Sequence, residues 1–185
     1  MEPGFAGYLY NQKINALEED TIEVLMNTFG VTRSMTSRGY GFVLMILTGL
    51  FAFRVFAQLV QAWHPVDFLP PYAAWHSGAL PYSLLVSVQG IILAACLRIV
   101  WGVFKGTIAP SAPKGNILFG LGIIYGLGMC IRLFVGLTIA PDHYWFGAIV
   151  PTIFHLVLAS FVILYGCFHV KFSQLLSPSY RNNPT

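Results

Sequence analysis

The chain has 185 residues, of which 56% are hydrophobic and only 9% charged, with a formal net charge of +3. A soluble domain carries about a quarter charged residues, so this composition excludes a water-soluble globular protein. The small charge excess gives no footprint for nucleic acid.

In chain order, the first 40 residues contain Glu18, Glu19, Asp20 and Glu23 and no uninterrupted apolar run. They are not read as a signal peptide, and the N-terminus is expected to be retained. Within them, "NQKINALEEDTIEVLMNTFG" spaces Ile14, Leu17, Ile22, Leu25 and Met26 at mostly helical intervals before Gly30. This predicts an amphipathic helix lying on the membrane surface or on a partner protein, and its acidic cluster favours the protein neighbour.

Four stretches then reach the roughly 20 apolar residues that cross a hydrocarbon core: 41–62, 80–104, 116–138 and 145–170. The expected fold is all-α, an integral membrane four-helix bundle with an N-terminal amphipathic surface helix. Its organisation is a segment 1–40, a four-span domain 41–170 and a polar tail 171–185. Lys13, Arg33, Arg38, Lys105, Lys114, Lys171 and Arg181 all fall on one side of these spans, whereas loops 63–79 and 139–144 contain no lysine or arginine. Both termini are therefore expected on the cytoplasmic side of a bacterial inner or organellar membrane, with Asp67 and Asp142 facing out.

The first loop reads "HPVDFLPPYAAWHSGALP" and the second "APDHYW". Trp63, Tyr72, Trp75, Tyr144 and Trp145 are expected to form an interfacial aromatic belt. The third span is rich in glycine, and Gly122 and Gly126 make a GxxxG pair for close helix packing, which marks that span as the crowded, central one. Cys96, Cys130 and Cys167 lie within different spans and read as small buried apolar residues. The two halves, each with an arginine, a proline-containing loop and a second span, also suggest two related hairpins.

Depth is the main functional signal. At 1.5 Å per residue, Gln89 and His155 lie roughly 13 to 15 Å, and Arg54 and Arg132 roughly 9 to 12 Å, below the outer surface. Each span thus contributes one strongly polar side chain to a common layer, and no span contains Asp or Glu. Ionisable residues at such depth face a bundle interior or cavity and mark a candidate site. One reading is structural: the arginines snorkel to Asp67 and Asp142 while His155 and Gln89 bond to backbone. The functional reading is that Arg54, Gln89, Arg132 and His155 bind the head of an anionic or carbonyl-bearing amphiphile, a lipid or a quinone.

A third reading makes His155 an axial ligand to haem or chlorophyll. His169, fourteen residues on, lies near the same face, but neither histidine has a partner at matching depth. A metal site of His64, His76 and His143 beside Asp67 and Asp142 has no recognisable ligand spacing. Histidine boxes, nucleophile elbows, paired carboxylates and phosphate loops are all missing, so catalysis is not expected. The chain reads as a non-enzymatic accessory or structural subunit of a larger membrane complex, with membrane lipids and other membrane-protein subunits as partners. The alternative is a cofactor-binding redox or light-harvesting subunit.

The topology has a direct check. In intact cells, a membrane-impermeant maleimide should label D142C and leave K114C unlabelled until the membrane is opened, in a background without native cysteines. The reverse pattern would invert the orientation.

Overall fold

The computed structural model describes residues 36–75 and 81–175, so the expected surface helix, His76, Ser77 and all of the expected tail after 175 lie outside the described residues, while residues 171–175 of that tail continue the last helix. Four helices make up the rest: α1 (Ser37–Trp63), α2 (Tyr82–Lys105), α3 (Ala112–Thr138) and α4 (Ile149–Leu175). All four are long and apolar enough to cross a membrane. The protein is an integral membrane four-helix bundle.

The helices extend past the apolar windows read from sequence. A 27-residue helix such as α1 measures roughly 40 Å, longer than the roughly 30 Å hydrocarbon core, so its ends project into the head-group region. There Ser37, Arg38 and Lys171 continue helices without entering hydrocarbon. At the other extreme α4 begins at Ile149 rather than 145. Residues 141–147 are held in turns, with the Gly147 amide donating to the His143 carbonyl at 2.8 Å.

The helices neighbour one another in the order α2, α1, α4, α3. Their ends define a hairpin end, with the α1–α2 and α3–α4 loops, and a connector end with the α2–α3 loop. Helix α3 meets α4 along a seam of Gly115, Phe119, Gly122 and Gly126 against Ala159, Ile163, Gly166 and Val170. Both sets follow a four-three-four spacing, the period that keeps one stripe facing a neighbour. A Cβ at Gly122 would stand 2.7 Å from Ile163 Cγ1, and one at Gly166 would stand 2.7 Å from the Phe119 amide nitrogen. In lipid, where apolar surface gains little from leaving the solvent, such close backbone approach holds the pair.

The glycine-rich span is therefore crowded on one side only. Contrary to the central position expected for it, α3 ends the row, and Ile117, Leu121, Ile124, Ile131 and Phe134 face outward. The central helices are α1 and α4, joined at the connector end by Tyr40 packed edge-on against Phe168 and Phe172. Cys96 and Cys167 are buried as expected, whereas Cys130 is exposed on the outward side of α3; all three are free.

The two hairpins share local patterns. "RVFAQLVQA" (54–62) closes α1 and "RLFVGLTIA" (132–140) closes α3. In their second helices, "ILAACLRI" (92–99) parallels "ILYGCFHV" (163–170).

The seam predicts a selective response to methyl groups. Gly166→Ala meets backbone on α3 and should lose about 1–3 kcal/mol of stability, the usual cost of overpacking. Gly128→Ala has open space around it and should be near neutral. Equal losses in reversible unfolding from mixed micelles would count against the seam.

Candidate functional site

Each arginine faces the same problem. A guanidinium keeps its charge at this depth, and a buried charge is costly unless hydrogen bonds compensate it. Arg54 and Arg132 are each 5% exposed. Arg54 donates from Nη2 to the Trp75 carbonyl at 3.0 Å, and its Cζ lies 5.5 Å from the Phe154 ring centroid on α4. Arg132 donates from Nε and Nη2 to the Trp145 carbonyl at 3.2 and 2.6 Å. Its Cζ sits 4.2 Å from the Trp145 ring centroid, a cation–π contact on the same residue.

The expected pairing with Asp67 and Asp142 is not formed; both arginines bond to tryptophan carbonyls instead. The loops fold back so that a carbonyl dipole meets each guanidinium. This changes the role of the aromatic belt. Trp63 and Tyr144 are exposed, as belt residues would be, but Trp75 is buried, with its indole Nε1 donating to the Pro70 carbonyl at 2.8 Å. Trp75 plugs the hairpin end. Gly136 has a related cause, since a Cβ there would collide with the Phe146 carbonyl.

The four residues of the layer do not form one constellation, and no hydrogen bond joins any two of them. Gln89 pairs across the α1–α2 hairpin, donating from Nε2 to Gln58 Oε1 at 3.3 Å. His155 pairs across the other hairpin, where its Nδ1 and the Tyr125 hydroxyl share a 2.6 Å hydrogen bond. His155 nevertheless lies within electrostatic reach of both Arg54 and Arg132. The result is a positive layer containing no carboxylate, with an imidazole within the field of both cations.

Sequence reading passed over three participants. Gln58 and Gln61 follow Arg54 at four and seven residues, one face of a helix, and that spacing was their available signal. Gln61 Oε1 accepts the Val66 amide at 2.9 Å and caps the loop. Tyr125 sits beside Gly126 and gave no signal beyond a polar hydroxyl among apolar neighbours.

The other histidines have local roles. His169 Nδ1 accepts the Ser111 amide at 3.2 Å, which fixes the start of α3 and separates His169 in function from His155. His143 Nδ1 accepts the Trp145 and Phe146 amides, and its ring stacks on Tyr144 at 4.7 Å. Among the described residues, no group of three His, Cys, Asp or Glu is placed to hold a metal ion.

Compared with protein-family models, curated proteins and solved structures, the chain matches none.

The buried arginines should be far more sensitive than an exposed one in the same bilayer. Arg132→Leu strips the Trp145 carbonyl of two donors and should release the 139–148 loop, seen as faster proteolysis there and a lower unfolding midpoint. Arg98→Leu, at an exposed position near the connector end, should change little. Matching effects of the two substitutions would remove the distinction between them.

Proposed function

We propose that the protein is a non-enzymatic membrane subunit that holds the carbonyl of an amphiphile, a quinone or a lipid ester, at Tyr125 and His155. The observation that carries this reading is the 2.6 Å Tyr125–His155 hydrogen bond, made where the charges of two buried guanidiniums, Arg54 and Arg132, reach the ring and no helix supplies a carboxylate. When the tyrosine hydroxyl donates to Nδ1 of the neutral ring, the imidazole presents Nε2–H as a donor. That donor, in a field made positive by Arg54 and Arg132, suits a group with partial negative charge and no proton of its own. A carbonyl has this character, and its apolar tail is accommodated by the exposed flanks of α3 and α4.

The lysine and arginine distribution supports placing this layer in the half of the membrane away from the cytoplasm. Close glycine packing, short loops and the wide apolar flanks of α2 and α3 support a subunit seated among other membrane proteins. The surface helix expected before α1 would offer such a complex a further contact.

The same hydrogen bond favours one competing reading. Were Nδ1–H to donate to the Tyr125 oxygen, Nε2 would be free to ligate haem iron or chlorophyll magnesium, with Tyr125 orienting the ring. Colour separates the two. Extracted gently from its native membrane, the protein should show no Soret or chlorophyll band and should carry a quinone or phospholipid in native mass spectra. His155→Leu and Tyr125→Phe should each lower ligand retention about tenfold, the equivalent of one good hydrogen bond. A visible band abolished by His155→Leu would instead establish the metal-ligand role.

A further inference from the structure

Of the buried polar groups in the α1–α2 hairpin, only Arg54 acts on the Tyr125–His155 pair, and it does so through its charge. Five buried side-chain atoms among the described residues have no hydrogen-bond partner: Tyr40 Oη, Arg54 Nε, Gln58 Nε2, Tyr82 Oη and Gln89 Oε1. Four of them belong to the hairpin-end half of α1 and α2. Three sit on side chains withdrawn almost completely from solvent and lipid, with Arg54 5%, Gln58 0% and Gln89 4% exposed. An unpaired polar atom at such burial is costly, so their grouping calls for a partner.

Their polarities specify that partner. Arg54 and Gln58 are four residues apart on one face of α1, and each has an N–H to give. Gln89 Oε1, opposite them on α2, has lone pairs to receive. Gln58 and Gln89 are already in register, since Gln89 Nε2 reaches Gln58 Oε1 at 3.3 Å, but the return bond from Gln58 Nε2 to Gln89 Oε1 is not made. A carbonyl or phosphate oxygen would accept from both donors and leave Gln89 Oε1 facing another acceptor. A cation would be repelled by Arg54. A hydroxyl group matches all three polarities, since its oxygen can accept from Arg54 Nε and Gln58 Nε2 and its proton can go to Gln89 Oε1.

We propose that Arg54, Gln58 and Gln89 form a buried hydroxyl-binding site between α1 and α2, occupied by water or by an alcohol group of a lipid head. Tyr82, two turns from Gln89 on the same face of α2, carries a further buried hydroxyl without a partner at the same end of the hairpin. The site differs from the carbonyl site on α3 and α4 in its hydrogen-bond polarity and shares only Arg54 with it. Arg54 takes part in both, acting on His155 through its charge and on the hydroxyl through Nε.

The test is solid-state NMR of the full chain, with side-chain amides of glutamine labelled, in vesicles of phosphatidylethanolamine and phosphatidylglycerol. Gln58→Met and Gln89→Met identify the two amide signals by their loss. The Gln58 amide should receive magnetisation from a hydroxyl source. Transfer from water in perdeuterated lipid, with no contact to glycerol C–H protons in protonated lipid, identifies water; a glycerol C–H contact identifies the lipid alcohol. Either supports the site. In Gln89→Met, which removes the acceptor, the transfer to Gln58 should fall at least fivefold. Absence of both contacts in the parent protein, or unchanged transfer in Gln89→Met, would overturn the proposal, as would a reciprocal amide pair between Gln58 and Gln89. Because the readout is the Gln58 amide, failure of the carbonyl site would leave the result unaffected.

Discussion

Two permanent positive charges held within an apolar layer, without a single carboxylate in the helices around them, constrain most of the hairpin end. A guanidinium there must be met by dipoles, and the nearest strong ones are backbone carbonyls that a helix already uses internally. The chain supplies them from its loops. Each loop bends back toward its own first helix until a tryptophan carbonyl reaches the arginine. From that requirement follow the burial of Trp75, the cap that Gln61 places on Val66, and the glycine at 136 that leaves room for the returning loop.

The two hairpins solve this problem with different neighbours. In the parallel strings "RVFAQLVQA" and "RLFVGLTIA", the fifth residue is Gln58 in one and Gly136 in the other. Where the second hairpin brings loop backbone against its helix, the first keeps a side-chain amide and reaches across to Gln89. The second hairpin draws its helices together at glycine and forms its polar contact between Tyr125 and His155. One local plan thus yields a mixed donor–acceptor pocket on one side and a donor-rich layer on the other.

The helices, their number and their approximate limits were legible because hydropathy over 20 residues is a strong signal and lipid permits few alternatives. Rise per residue is fixed, so the sequence could also assign Arg54, Gln89, Arg132 and His155 an expected depth. Partners were not legible. Gln89 and His155 share a depth but belong to different hairpins, and depth says nothing about which way round a helix is turned. Trp75 read as a belt residue because tryptophan near an interface usually is one, whereas its burial depends on a loop folding back to a charge 21 residues earlier. Glycine content correctly marked α3 as closely packed, but could not reveal that all its close contacts lie on one side.

The row order of the helices bears on what the positive layer can do. With α1 and α4 at the centre, Arg54 lies at the junction of the hairpins, beside Phe154 and within reach of the His155 ring. Arg132, held by Trp145, also acts on the same imidazole through its charge. Since both guanidiniums keep their charge at any physiological pH, the field at His155 is permanent and changes only if a loop releases its arginine. The His155 ring and the hairpin loops are therefore coupled electrostatically through the arginines, and the carbonyl site proposed there would share that coupling. Anything that pulls the 139–148 loop from Arg132 also alters the electrostatics at the site, which gives a neighbouring protein on the loop face a physical route to it.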